Sequence, residues 1–237
     1  MEINHLCILI PAKDEEEFIA RCLHAILNAL HYVSIPTSIV LGVDSSTDKT
    51  AVIGRKILSG HGTVLEMKQQ NVGATRRIIT EYALAQIKGY TNNCWLAHTD
   101  ADCQVPENWL SLQLELATQG IQGITGIVKV DNYREHSPTV QKLFEDHYQI
   151  NRDGTHPHVH GANFGCRADA YIKAGGWNEL LTGEDHDLWN RLKQLKIPLK
   201  SAAELYVTTS GRLEGRAPMG FAQKLASFND LNRINMK

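Results

Sequence analysis

Four short apolar runs, HLCILIP, SIVLGVD, GTVLEMK and CWLAHT, recur through the first hundred residues, and a stretch with helical spacing follows the first three. This alternation constrains the fold more than any other feature. Runs this short are the length of buried strands, and a strand–helix repeat sets the strands parallel in one sheet with helices on both faces. After HLCILIP, the residues Phe18, Ile19, Cys22, Leu23, Ile26, Leu27 and Leu30 form one apolar helical face. Asp14 opens that helix, and Glu17 stands three residues on, the spacing of a capping box. Further helices are expected from about Asp48 to Leu58 and from about Ala74 to Ile87. Pro106 starts another after CWLAHT, where its missing N–H costs nothing.

Beyond Ile121 the pattern changes. ITGIVKVD reads as a long strand, followed by a helix from about Pro138 to Ile150. A glycine- and histidine-rich stretch follows, DGTHPHVHGANFGCRADAYIKAGGW, then a helix carrying Leu188, Trp189, Leu192 and Leu195, and a last strand, ELYVTTS. No low-complexity linker or internal repeat breaks the 237 residues, so a single α/β domain is expected, with halves of about 1–120 and 121–237. The chain is 43% hydrophobic and 21% charged with a net charge of −2, the composition of a soluble globular protein without a nucleic-acid footprint. Its five cysteines, Cys7, Cys22, Cys94, Cys103 and Cys166, are scattered with no C-x-x-C pair, which points to free thiols in a reducing compartment. The apolar residues before Pro11 are too few for a signal sequence or a membrane span, so a cytoplasmic location is expected.

In an open α/β sheet, ligands bind outside the carboxyl ends of the strands. The polar clusters fall there: PAKDEE after the first strand, Asp44 of VDSSTDKT after the second, Asn71 and Gly73 near the third, TDAD after the fourth. Singly, each reads as a turn or cap, because aspartate and asparagine favour such positions. Together on one rim they read as a binding site. Asp100 and Asp102 share one side of an extended segment, and like charges so close need something positive between them.

The ordered set P-A-x-D-E-E, V-D-S-S-T-D-x-T, N-x-G-A-x-R, T-D-A-D, G-A-N-F-G-x-R, G-G-W and G-E-D-x-D-L-x-x-R-L resembles family 2 glycosyltransferases, over about Ile8 to Arg216. The resemblance implies a GT-A fold, Rossmann-like with a mostly parallel central sheet. The first half would bind a nucleotide sugar, UDP- or GDP-linked, and the second a hydroxyl-bearing acceptor, with sugar transfer inverting the anomeric centre. It also implies a divalent cation, Mn2+ or Mg2+, which carboxylate oxygens suit. By the same resemblance Asp102 is the metal ligand, Asp100 a ribose or water-mediated contact, and Ala101 lies between them in the donor site. Pro11, Ala12, Glu15 and Asp44 surround the nucleotide, with Asp44 accepting hydrogen bonds from the base. Spacing leaves open which of Glu15 and Glu16 faces it. Arg76 matches the family arginine, whereas Arg77 departs from the usual asparagine and its role is open. Asp185 is the first choice for the base that takes the acceptor proton and Glu184 the second, although acidic residues also suit a helix amino terminus. Arg212 and Arg216, after the last strand, suit a diphosphate, or else belong to a solubilising tail.

H-P-H-V-H, His156 to His160, invites a zinc reading, but no second cluster with ligand spacing accompanies it and Pro157 argues for a loop. His160 and Gly161 are therefore placed on the donor or acceptor pocket. Two rival functions fit the sequence less well. A nucleotidyltransferase would want a G-x-G-T-R-type loop after the first strand, which PAKDEEE lacks. Against a non-catalytic nucleotide-sugar binder stand both TDAD and GED.

Overall fold

The computed structural model describes residues 2–87, 91–216 and 220–235. In chain order the elements are β1 (His5–Ala12), α1 (Ile19–Leu30), β2 (Thr37–Asp44), α2 (Thr50–Ile57), β3 (Gly62–Met67), α3 (Val72–Gln86), a 3-10 turn (Thr91–Asn93), β4 (Cys94–Thr99) and α4 (Trp109–Thr118). The second half contributes β5 (Gly123–Val130), α5 (Val140–His147), β6 (Asn163–Arg167), α6 (Ala168–Lys173), α7 (Glu184–Gln194), β7 (Leu199–Thr209) and α8 (Phe221–Asn235). The strands form one sheet in the order β3-β2-β1-β4-β6-β5-β7. All neighbouring pairs are parallel except those of β6, which runs antiparallel to both β4 and β5. Among the described residues no helix is long and apolar enough to cross a membrane.

Alternation along β1 shows why its apolar run is continuous. Leu6, Ile8 and Ile10 pack with Ile19, Leu23 and Ile26 of α1 and Trp109 of α4 on one face. Cys7 and Leu9 pack with Ile79 and Ala83 of α3 and Leu188 and Leu192 of α7 on the other. A strand covered on both faces needs apolar residues at every position, as parallel sheets do. A smaller cluster, Val140, Phe144, Leu225 and Phe228, joins α5 to α8.

Several expectations need correction. Asp14 does not cap α1, which begins at Ile19 after an N-cap at Phe18 that makes no side-chain cap bond. Instead Asp14 adopts φ 49°, and its Oδ1 accepts from the Thr47 amide at 2.8 Å. Neighbouring bonds join the same two loops: the Glu15 amide donates to Thr50 Oγ1 and the Glu16 amide to Asp48 Oδ2. The acidic run thus links the β1–α1 and β2–α2 loops, which took precedence over the local cap. At α3 the start moves to Val72, because Asn71 is the N-cap and accepts from the Ala74 amide. Helix α4 begins at Trp109 rather than Pro106, and α5 ends short of the expected limit.

Strand β6 lies within the glycine- and histidine-rich stretch, where the sequence carries no strand signal. Its Gly165 has a packing cause: a Cβ there would collide with Gln113 Oε1 and lie 2.9 Å from Trp95 Nε1. Asn163, at the start of β6, is buried and donates to the carbonyls of Ile127 and Leu205 while accepting from Trp109 Nε1. One side chain therefore ties β6 to β5, β7 and α4.

Candidate active site

The carboxyl ends of β1, β2 and β4, the amino ends of α3 and α7, and the segment after β7 surround a cavity of about 420 Å³. Because β6 is antiparallel, the residues that precede it, His160 and Gly161, reach the same rim. The residues assigned to the donor and catalytic sites line this cavity: Pro11, Ala12, Glu15, Asp44, Arg76, Asp100, Ala101, Asp102, His160, Glu184, Asp185, Arg212 and Arg216. The rim is also where backbone strain collects. Asp14, Ser45 and Gln70, just beyond β1, β2 and β3, have φ of 49°, 54° and 52°. Left-handed non-glycine residues persist only where the surroundings hold them.

Asp44 provides part of that hold. Its carboxylate accepts from the amides of Gln69, Gln70 and Asn71 at 2.7, 3.0 and 3.1 Å, and from the hydroxyls of Ser45 and Thr75 at 3.0 Å each. Burial alone would raise its pKa, but these bonds prevail and lower it. A carboxylate offers about four lone-pair sites, and Asp44 already serves five donors. The expected bond to a base therefore meets a carboxylate engaged in shaping the 69–71 loop.

Arg76, only 2% exposed, lies behind Asp100 and Glu184. Its Nη2 donates to Asp100 Oδ1 at 2.5 Å, and its Nε stands 3.5 Å from Glu184 Oε1. Burial works against its charge, yet Asp100, Glu184 and Asp185 together hold it more firmly protonated than a free arginine. Gly161 leaves room for it, since a Cβ there would lie 2.6 Å from Arg76 Nη2. Burial pushes Glu184 above the ordinary glutamate range, with Arg76 pulling the other way. The two carboxylates of GED are thereby separated. Glu184 is buried against Arg76, whereas Asp185 is half-buried, its Oδ2 accepting from the Gly161 amide at 2.8 Å and its Oδ1 from the His186 amide at 2.7 Å.

Across the cavity, Arg212 forms two bonds of 2.8 Å to Glu15 and approaches Asp102 Oδ2 at 3.1 Å. Phe18 lies beneath it, with the guanidinium carbon 5.6 Å from the ring centroid. Arg21 donates to Asp131 and to the Asp102 carbonyl, and Asp131 accepts from the Gly211 amide, which fixes the residue before Arg212. Burial raises Asp102, opposed by Arg212 and reinforced by Asp100. Burial likewise moves Glu15 up to about 7 against the pull of Arg212. Arg216 donates to the Asp14 carbonyl at 2.8 Å. Of the two glutamates that spacing left open, Glu15 lines the cavity, while Glu16 Oε2 accepts from the Lys49 amide outside it.

The family model for glycosyl transferase family 2 matches residues 7–175. The chain belongs to that family. This glycosyltransferase also resembles solved structures in fold. A mannosyltransferase from Pyrobaculum calidifontis, in complex with GDP-Man and Mn2+, superposes with a TM-score of 0.64 at 15% identity, covering 98% of this chain and 70% of the other. TarS 1–349 of S. aureus, in complex with UDP, gives 0.62 at 14% identity, covering 98% and 66%. No curated protein matches the sequence. At these identities the likeness shows the GT-A fold, and the family match ends before GED and both arginines of the last loop.

Sequence reasoning missed several residues of the glycosyltransferase cavity. Thr75 and Gln70 act with Asp44, and Phe221 and Lys224 enter from α8. The spacing of Phe221, Leu225 and Phe228 is the helical signal that could have found α8. The three histidines of H-P-H-V-H stack in a ladder, 5.7 and 5.9 Å between successive rings. Among the described residues no group of three or more His, Cys, Asp or Glu could hold a metal ion. Arg77 pairs with Glu179 on the outside.

Proposed function

We propose that this glycosyltransferase moves a sugar from a nucleotide-diphosphate donor to a hydroxyl acceptor with inversion, using Asp185 as the base. The observation that carries the reading is the single cavity into which both the Asp100–Asp102 pair and Asp185 project. Asp185 is favoured over Glu184 because it is the more exposed, with backbone amides on both oxygens. An anion held by amides keeps its orientation while an acceptor proton moves to it. Glu184, buried against Arg76, serves that arginine's charge. The nucleotide lies along Pro11, Ala12 and the 69–71 loop that Asp44 shapes, and Asp100 meets the ribose.

A hard cation fits the residues present, with Asp102 as its protein ligand. The chain offers one close carboxylate pair rather than a cage, and magnesium-type sites commonly join one or two carboxylates to substrate phosphates. When bound, the cation supplies positive charge to the departing diphosphate. Arg212 and Arg216 add further charge there. Neighbours that carry GDP-Man with Mn2+ and UDP support this reading.

Thermal shift with UDP and GDP, each with and without Mn2+, tests it. Stabilisation by one of them that requires Mn2+ is expected, about 2.7 kcal/mol at a hundredfold excess over Kd. No shift under any of these conditions would refute the donor site.

A further inference from the structure

On the second-half side of the cavity, His160 Nε2 lies 2.9 Å from the Tyr148 hydroxyl, and that hydroxyl accepts from the Val128 amide at 3.0 Å. The amide can only donate. The Tyr148 hydrogen then has one acceptor among its neighbours, the His160 Nε2 lone pair. Were Nε2 to carry the hydrogen instead, the Tyr148 hydrogen would have no partner among the described residues. Tyr148 therefore donates to His160, and the ring hydrogen of His160 sits on Nδ1. Among the described residues nothing pairs with that atom, and the residue lines the cavity. Its neighbour in sequence, Gly161, donates to Asp185.

We propose that His160 is a positioning residue that presents a fixed, uncharged Nδ1–H donor to an oxygen of the acceptor, beside the hydroxyl that Asp185 deprotonates. This rests on the reading of Asp185 as base. His160 stands at the head of β6, three strands along the sheet from β2 and Asp44, about 14 Å at the usual strand spacing. It therefore lies on the acceptor side rather than against the nucleobase. A histidine next to a catalytic carboxylate would ordinarily compete for the proton near neutral pH. Tyr148 removes that competition by occupying the only lone pair the neutral ring has. What remains is a donor that holds an oxygen and cannot take its hydrogen.

The surroundings act in the same direction. Burial lowers His160 to about 3, helped by His158, Lys224, His156 and His186, while Phe221 closes the ring edge. The Asp185 carboxylate meets this segment at the Gly161 amide, which engages its Oδ2. His158 provides an internal contrast, since its Nε2 lies 2.9 Å from the Gln149 carbonyl, which can only accept. Its hydrogen must sit on Nε2, opposite to that of its neighbour.

Long-range 1H–15N spectra of the full chain with ring-labelled histidine, assigned with His160→Asn and His158→Asn, decide the tautomers without any substrate. His160 should show a protonated Nδ1 and a bare Nε2, unchanged from pH 5 to 8, and His158 the reverse. An Nε2-protonated His160, or a His160 that titrates near 6.5, would overturn the proposal. Tyr148→Phe should mix the tautomers and let the ring titrate, while UDP or GDP still binds with Mn2+ as in wild type. An unchanged tautomer in that variant would overturn the role of Tyr148. Methyl α-glucoside, methyl α-mannoside and glycerol, each titrated to about 1 M, probe the ligand class. A saturable shift confined to the His160 Nδ1–H signal is expected from at least one, and none from any would refute an oxygen-bearing ligand there. Loss of nucleotide binding would sink the donor site instead, and the spectra distinguish the two failures.

Discussion

Replacing Arg76 with methionine keeps most of the stem that packs near Trp177 but removes the charge between Asp100 and Glu184. Breaking one side of a buried pair costs about 3–5 kcal/mol. Here two features limit the loss. Asp100 has a side chain 36% exposed, so water screens it and its share is small. Glu184 can escape by taking a proton, and carrying a glutamate from its ordinary pKa near 4.3 as a neutral acid at pH 7 costs about 3.7 kcal/mol. Arg76→Met should therefore lose about 3–4 kcal/mol in urea denaturation at pH 7. The sign with pH follows from Glu184, whose folded-state pKa is raised and rises further in the variant. Stability linked to such a group is complete below the unfolded value and is lost as pH rises through the folded one. Moving from pH 7 to 5 should thus return about 2–3 kcal/mol to the variant relative to wild type. Adding Glu184→Gln should restore most of the loss at pH 7 and remove that pH dependence. A loss below about 1 kcal/mol with no recovery at pH 5 would show that Arg76 is not the counter-charge of Glu184.

Three further outcomes follow from the cavity. Asp102→Asn should abolish most of the Mn2+-dependent stabilisation by nucleotide while leaving the unliganded fold intact, which calorimetric titration with and without Mn2+ checks. Asp185→Asn should bind nucleotide within about threefold of wild type, yet transfer, followed by nucleoside diphosphate release, should fall by roughly 10²–10⁴; Glu184→Gln is the comparison, and a larger loss there would exchange the two roles. Gly165→Ala should lower stability by about 1–3 kcal/mol through overpacking against Gln113, read as a shift in the urea midpoint with unchanged slope.

The first half of the fold was legible because β1, β2 and β4 are covered on both faces, which leaves an unbroken apolar run such as ILI in β1 or IVLGV in β2. The sites at the ends of those strands were legible for the same reason: a polar cluster after an apolar run marks a rim. What failed to show was set by distant partners. Asp14 looked like a cap because a cap needs only local spacing, whereas its true partner, Thr47, is thirty-three residues away. The glycines around β6 concealed a strand because the groups requiring them, Gln113, Trp95 and Arg76, lie on other elements. The resemblance puts Asp185 before Glu184, but the spacing alone does not separate them, since the physical difference is that Glu184 is the one buried against Arg76.

Strand β6 enters the sheet against the direction of its neighbours, so the chain reaches the rim before that strand rather than after it. Apart from Gly161, which leaves room for Arg76, residues 148–162 from Tyr148 to the start of β6 can therefore change in length and composition without moving the ends of β1, β2 and β4. On the proposed reading of the cavity, selection for a new acceptor would act on that one connection while the machinery for the donor stays in register. The same connection is the natural unit to exchange when a new acceptor preference is to be built on this scaffold.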